Sequence, residues 1–442
     1  MRASGAAGSI GGLRFDGTMV ALALTAAVGC VEAAPVGHVY GERGAALSFG
    51  APTAEKNGEL GFESLRRLIE AEGLTSIDDL VGRLPAALRS RYVLMHESRS
   101  LQEATYSAPR ALLFTADASF VVAFNGGPTE NGYLALETLE FDQKNAVFQL
   151  REVAFPAAGD ARANVVFSEI NPPRCLVCHG DAPRPIWDAY PEWPGAYGEV
   201  DHGALQGTEK TGIHAFLAAR RSNPRYGPLL HPESFAESPR SASAAAYEGA
   251  ERRSRNADFG DKLQRLEYRV IARRVTASPG FSSFRYALLA ALDPQCPDID
   301  SFVPEPVRSR FSRSLGQFKG ETALANSEQD AAIGRRLSKA DRAAPVTVET
   351  LVSFRYIAEE GLHLPTQGWG LALEPNASNF TTGGTSAGYL ERDLFDAVLR
   401  DDSDLRGLRA APERREGYCA AMRRISLAAL SRLSPGQSQV PP

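Results

Sequence analysis

The sequence is poor in several features that would point to particular classes of protein. No run of about 18 consecutive apolar residues is present, so we expect no membrane-spanning helix. The 48 Lys and Arg residues are outnumbered by 53 Asp and Glu, and the net charge of −5 gives no reason to expect a nucleic-acid partner. What remains is a 442-residue chain with 43% hydrophobic residues, typical of a globular protein able to bury a large core.

Common catalytic motifs are absent as well. The chain has no G-x-S-x-G nucleophile turn and no H-E-x-x-H metal motif. The Gly-rich stretch "TGGTSAG" lacks the lysine of a phosphate-binding loop. The motifs therefore leave open whether the protein is an enzyme.

The N-terminus carries the pattern of an export signal. Arg2 and Arg14 precede an apolar run of eleven residues, 19–29, which suits a signal peptide and is too short to cross a bilayer. Val31 and Ala33 fit a cleavage site that makes residues 1–33 the signal peptide. Alternatively, "AVGC" resembles a bacterial lipoprotein box, in which Cys30 carries a lipid anchor. Either ending predicts a periplasmic or secreted protein, lipid-anchored in the second case.

The rest of the chain predicts an α+β fold with a small antiparallel sheet in the N-terminal half. Residues 34–60 form a flexible leader, and residues 61–170 contain a helix pair, with Thr75 or Ser76 capping the second helix, followed by an antiparallel meander with one buried face. Residues 171–435 contain a loop and a mostly helical region, continuous with 61–170. The strand-like runs are 110–116, 119–126, 133–142 and 146–156, and the later helices are expected near 208–221, 248–276, 282–292, 326–342, 347–360, 391–400 and 413–433.

The most specific pattern is C-x-x-C-H, formed by Cys175, Cys178 and His179. Two thiols at this spacing can add to the vinyl groups of one haem, and the adjacent histidine can bind its iron as the proximal ligand. With five Cys and seven His in 442 residues, chance produces this pattern in about one such chain per thousand. Pro172 and Pro173 disfavour a helix before Arg174, so the motif is expected on a loop. The sequence therefore predicts one covalent haem c.

Two other kinds of site compete for the same cysteines. Structural zinc needs four Cys or His ligands, which His202, His214 or His231 could help to supply. A redox dithiol is expected at a helix start within a βαβ unit, and here a meander precedes the motif. Both competitors stay open, and haem is favoured over them because export places the motif where bacteria attach haem.

The stretch "NPPRCLVCHGDAPRPIWDAYPEWPGAYG" resembles a family of uncharacterised exported proteobacterial proteins with one C-x-x-C-H motif and an "RP-W--Y--WPGAYG" loop. The resemblance extends to "ESRSLQEAT" and "FNG" upstream and to "NPRYGPLL" downstream, about half the chain. It implies a haem c on Cys175, Cys178 and His179, and no particular reaction.

The sixth iron ligand is less constrained than the proximal one. Only four Met residues are present, and Met95 is one of two outside the signal. His202 and His231 follow the motif at a distance typical of the second ligand in small electron carriers. Met95 reaches the iron only if the sheet packs over the haem, and an open iron position is the remaining alternative.

Other side chains near the motif suit a haem pocket. Trp187 and Trp193 can wall the porphyrin, and Arg174 and Arg184 can pair with its propionates. Elsewhere, Cys296 and Cys419 are expected to form a disulfide in an oxidising compartment.

Three functions follow in order of preference. The first is an exported monohaem cytochrome that exchanges electrons with a redox partner protein. The second is a haem enzyme or sensor whose open iron binds a small-molecule ligand; the size of the chain favours considering it, because an electron carrier needs about a quarter of this length. The third is a binding protein without haem, held together by zinc.

Overall fold

The computed structural model has the predicted α+β fold, with a six-stranded antiparallel sheet followed by a mostly helical region. Among the described residues, no helix has both the length and the apolar character needed to cross a membrane. The structure describes residues 60–98, 100–159, 164–185, 195–197, 207–232, 255–293, 296, 298–322, 345–366, 394, 398, 402, 405–407 and 415–433.

Three short helices precede the sheet: α1 (Phe62–Glu72), α2 (Ile77–Arg83) and α3 (Ala86–Ser90). The buried side chains of α1 are spaced three and four residues apart, and the helix ends at Gly73, whose φ of 62° suits a residue without a side chain. Helix α2 starts at the predicted Ser76 cap, whose hydroxyl accepts a hydrogen bond from the Asp79 amide at 3.1 Å. Both predicted helices are confirmed.

The strands follow one another in the sheet in chain order, each antiparallel to the next. The predicted runs correspond to β2 to β5, whereas β1 and β6 were not predicted. Strand β1 is a four-residue apolar run without alternation, and β6 has only two residues. The bounds are β1 (Tyr92–Met95), β2 (Arg110–Phe114), β3 (Phe120–Phe124), β4 (Ala135–Asp142), β5 (Val147–Ala154) and β6 (Val166–Phe167).

The predicted helices near 208–221, 282–292, 347–360 and 413–433 are present, as is the described part of 248–276, whereas the helices at 173–179, 305–308 and 315–322 were not predicted. Residues 326–342 lie outside the described part, and of 391–400 only Leu394 and Val398 are described, both helical. A π-helix, Ile357–Gly361, extends α10, and 3₁₀ turns lie at Arg220–Ser222 and Ile299–Phe302. The helices are α4 (Pro173–His179), α5 (Gly207–Ala219), α6 (Arg255–Ala277), α7 (Phe281–Leu292), α8 (Glu305–Arg308), α9 (315–322), α10 (Pro345–Tyr356) and α11 (Arg415–Leu430).

The sheet is buried on both faces over β1 to β3, so the expectation of one buried face is wrong there. One face, which we call face A, includes Tyr92 and Leu113 and packs against α1 to α3. The opposite face, face B, includes Val93 and Leu112 and packs against Phe259 of α6. Because a helix covers each face, these strands are continuously apolar, as buried strands are.

Cys296 and Cys419 form the predicted disulfide, with Cα atoms 5.5 Å apart. Cys296 follows α7 and Cys419 lies in α11, 123 residues later. The bridge therefore closes a large loop around the core of the helical region.

Candidate functional site

The C-x-x-C-H motif lies on a helix, α4, and not on the predicted loop. Pro172 is the N-cap and Pro173 occupies the first turn, where proline costs no helical hydrogen bond. The two prolines thus set the start of the helix instead of preventing it. Cys175 and His179 are four residues apart and share one side of α4, with Cys178 beside them.

His179 is held in one tautomer by the turn that follows α4. Its Nδ1 atom lies 2.6 Å from the carbonyl oxygen of Arg184. A carbonyl can only accept, so Nδ1 carries the hydrogen and donates it, which leaves the Nε2 lone pair available to bind a metal. Burial lowers the pKa of His179 below its ordinary value, which favours the neutral ring that a metal needs. No sequence pattern indicates this role of the Arg184 backbone.

The two motif cysteines differ. Cys175 is a free, partly buried thiol, whereas Cys178 is disulfide-bonded. Burial, followed by the nearby Glu137 carboxylate, raises the pKa of Cys175, and Arg174 only partly opposes this. A reactive redox thiol needs the opposite shift, toward the thiolate. Helix α4 supplies the helix start that a redox dithiol requires, but the thiol is not activated.

Two acidic side chains on face B lie close to the motif. Glu137 of β4 and Glu152 of β5 are direct cross-strand partners, an arrangement that destabilises a sheet unless cations compensate. Arg110 pairs with Glu137 at 2.6 Å, and Arg174 pairs with Glu152. Arg110 in turn donates to the Gln102 side chain at 2.7 Å. The motif therefore lies over a charge-balanced polar patch in an otherwise apolar sheet.

The predicted propionate partners have other contacts. Arg174 is half-exposed and engaged with Glu152. The side chain of Arg184 is buried, and its charge acts against protonation of His179. Trp187 and Trp193 lie outside the described residues, as does His202.

The described candidates for the sixth ligand are far from equivalent. His231 is exposed and its carbonyl faces Arg255, which also contacts the backbone of Tyr92 in β1. The His231 backbone therefore lies near β1, which is three strands from Glu137, or about 14 Å at the usual spacing. Met95 is in β1, and its side chain lies on face B, as the motif does. His214 is exposed on α5.

An aromatic cluster that the sequence did not indicate lies at the end of β1. His96 stacks on Tyr106 with centroids 4.3 Å apart and meets Tyr197 edge-on at 4.9 Å. Tyr197 belongs to the WPGAYG segment, which an isolated bridge between Met95 and Ala196 attaches to β1. The Tyr197 hydroxyl donates to the Tyr106 carbonyl at 2.7 Å. This end of the aromatic segment is thus packed in the core.

Within the described part of the chain, no group of three or more His, Cys, Asp and Glu side chains is placed to hold a metal ion. At the motif, His179 therefore offers one oriented nitrogen ligand to a metal, without a group of further described ligands around it. Comparison with protein-family models, with curated proteins and with solved structures finds no match to this chain.

Proposed function

We propose that this protein is an exported monohaem c-type cytochrome that exchanges single electrons with a redox partner protein. Cys175 and Cys178 hold the haem covalently and His179 binds its iron from the proximal side. The bound haem supplies one-electron chemistry, and the chain holds, orients and shields it.

The observation that best supports this proposal is the hydrogen bond that orients the His179 ring for metal binding. A histidine that binds a metal commonly donates its second ring hydrogen to a carbonyl or carboxylate, which fixes the ring and its tautomer. The 2.6 Å contact between Nδ1 and the Arg184 carbonyl has this form, next to two cysteines at haem-attachment spacing. The lowered pKa of His179 keeps the ring neutral without a metal.

The competing sites fit less well. Zinc requires further ligands beside the motif, and the described residues contain no such group. A redox dithiol requires an activated thiol, and the pKa of Cys175 is raised. The disulfide at Cys178 must be opened before that sulfur can form a thioether, so the bridge and the attached haem exclude each other.

The polar patch has a role in this function. Glu137 acts electrostatically on both Cys175 and His179, and Arg110 neutralises it. An unbalanced carboxylate near the iron would favour the oxidised state, so the Arg110–Glu137 pair keeps the reduction potential higher than Glu137 alone would. Arg174 and Arg184 remain the proposed partners of the propionates, and a lipid anchor on Cys30 remains the alternative to cleavage after Ala33.

The test is to produce the full chain with the cytochrome-maturation machinery and to measure covalent haem after denaturation. The wild type should retain one haem by mass, with both thiols consumed. Cys175→Ser should retain at most one thioether, and His179→Ala should lose the native low-spin spectrum. His214→Ala is the matched control, because this histidine is exposed on α5, and its spectrum should equal that of the wild type.

Wild-type protein without covalent haem would overturn the proposal. If haem is attached, carbon monoxide distinguishes the two haem functions. A spectrum unchanged by carbon monoxide supports electron transfer through a six-coordinate iron. A spectrum that shifts supports the small-ligand alternative.

A further inference from the structure

A second polar site lies where the loop after β3 meets the segment before β2. The Glu103 carboxylate accepts hydrogen bonds from the side chain and the backbone amide of Asn131, at 2.8 and 3.1 Å. Thr105 donates its hydroxyl to one oxygen of Glu130 at 3.0 Å. We call Glu103, Asn125, Glu130 and Asn131 the oxygen cluster.

Asn125 is completely buried and connects the backbones of Glu103 and Asn131. Its Nδ2 atom donates to the backbone carbonyls of Glu103, at 3.1 Å, and Asn131, at 2.7 Å. Because carbonyls can only accept, the amide cannot be flipped, and its oxygen Oδ1 is left without a partner. A buried acceptor without a partner costs about 1–3 kcal/mol unless something else satisfies it.

Glu130 provides a second buried oxygen without a partner, Oε2. Neither Glu130 nor Glu103 forms an ion pair with any described residue. Burial and the neighbouring Glu103 both raise the pKa of Glu130, whereas Thr105 lowers it. The nearby Arg225 is engaged elsewhere: it pairs with Asp78 at 2.5 Å and donates to backbone carbonyls. The Glu103 and Glu130 carboxylates are therefore close enough to repel each other, and neither is paired with a described cationic side chain.

The backbone leaves room for this arrangement at Gly127. A Cβ atom on Gly127 would lie 2.2 Å from the carboxyl carbon of Glu130. The absence of a side chain there lets the carboxylate lie against the loop. Asn131 and Glu103 are exposed, whereas Asn125 is buried, so the oxygen cluster reaches from the core to the solvent.

We propose that the oxygen cluster binds one hard divalent cation, with Ca²⁺ preferred over Mg²⁺. All its donors are carboxylate, amide and carbonyl oxygens, the ligands that Ca²⁺ takes in flexible numbers, whereas Mg²⁺ needs near-ideal octahedral geometry. Two carboxylates supply the charge, and the orphaned Asn125 oxygen gains a partner. The proposal is independent of haem, because it involves no residue of the motif.

A cation here would fasten the segment before β2 to the loop that enters β4. Gln102, next to Glu103, donates to the Ala135 carbonyl at 2.7 Å and accepts from Arg110. Arg110 is the partner of Glu137 beside the motif. The residue next to Glu103 is therefore hydrogen-bonded to the arginine of the charge pair beside the candidate haem site.

Calorimetric titration of the chelator-treated full chain with CaCl₂ tests the proposal. We expect one saturable site in the range of extracellular calcium modules, about 0.1–1 mM, with weaker binding of Mg²⁺. Glu130→Gln should weaken Ca²⁺ binding about tenfold or more, and Glu103→Gln should weaken it as well. Lowering the pH toward the raised pKa of Glu130 should also weaken it, because protons then compete with Ca²⁺ for this carboxylate.

Glu70→Gln is the control, because Glu70 is exposed on α1 and pairs with Arg66 of the same helix. It should bind Ca²⁺ as the wild type does. Circular dichroism establishes that each variant is folded, and Ca²⁺ should raise the melting temperature of the wild type but not that of Glu130→Gln. Absence of saturable Ca²⁺ binding, or equal affinity in both cluster variants and the wild type, would overturn the proposal.

Discussion

The sheet region and the helical region of this molecule are held together in different ways. In the sheet, each strand pairs with the strand next to it in the chain, from β1 to β6. In the helical region, α7 packs against α10 and α11, which come much later in the chain, and the Cys296–Cys419 bridge spans 123 residues. Local pairing organises the first region, and distant contacts organise the second.

Helix α6 connects the two regions. Its first half places Phe259 and Leu263 on face B of the sheet. Its second half places Tyr268, Ile271 and Val275 in the core of the helical region. The comparison teaches that a cross-link matters most where sequence neighbours do not pack together, because distant contacts have the larger loop-closure entropy to overcome. Both candidate sites lie in the sheet region, where neighbouring strands are also neighbours in the chain.

The largest effect should come from removing the disulfide in the helical region. The double variant Cys296→Ser, Cys419→Ser should lower the free energy of unfolding by about 4–5 kcal/mol in the chain-entropy model. Denaturant unfolding measures the loss, and amide exchange should accelerate more in α7 and α11 than in β2 to β4. Each single variant should cost nearly as much as the double variant, since either one opens the bridge. A loss that is simply additive over the two single variants would contradict this explanation.

A smaller effect should follow from a cavity in the sheet region. Leu113 is completely buried on face A, so Leu113→Ala should lower the free energy of unfolding by about 3 kcal/mol through lost apolar contact and the residual cavity. The matched control is Val147→Ala in β5, where the side chain is 40% exposed and the change should stay within about 0.5 kcal/mol. Urea denaturation measures both variants. Equal losses would show that burial on face A does not stabilise the sheet.

The smallest expected effect is a pH dependence of stability that arises from His96 in the sheet region. Burial lowers the pKa of His96 below its ordinary value of 6.5, and Glu97 only partly opposes this. Below about pH 6.5 the unfolded chain therefore binds a proton more readily than the folded one, and stability falls as the pH drops toward the folded pKa of His96. His96→Gln should make this slope shallower. A slope that stays the same in His96→Gln would contradict this explanation.

Much of the fold could be predicted from periodicity and capping residues. The α+β class, strands β2 to β5 and the Ser76 cap all follow from local patterns. Strand β1 could not be predicted, because its four buried residues do not alternate and become a strand only by pairing with β2. The burial of face B likewise depends on α6, which follows more than a hundred residues later.

Some features of the candidate haem site could likewise be predicted from the sequence, and others could not. The spacing of Cys175, Cys178 and His179 and the export signal predict haem attachment from sequence alone, and that function stays a proposal. The helix that carries the motif was not predicted, because Pro172 and Pro173 were expected to prevent a helix. The first turn of a helix tolerates proline, and the two prolines lie at the start of this helix. The charge balance of Glu137 and Glu152 could not be predicted, because cross-strand register is a property of pairing.

The sequence by itself determined the class of the fold, the strands of the meander and the chemistry available at C-x-x-C-H. These follow from residue type and spacing, which act over a few residues. Only the tertiary structure decided which nitrogen of His179 is available, which cations neutralise the acids below it, and that Asn125 and Glu130 keep oxygens without partners. Those properties depend on carbonyls and charges brought together from distant segments, and no local pattern records which atoms will meet.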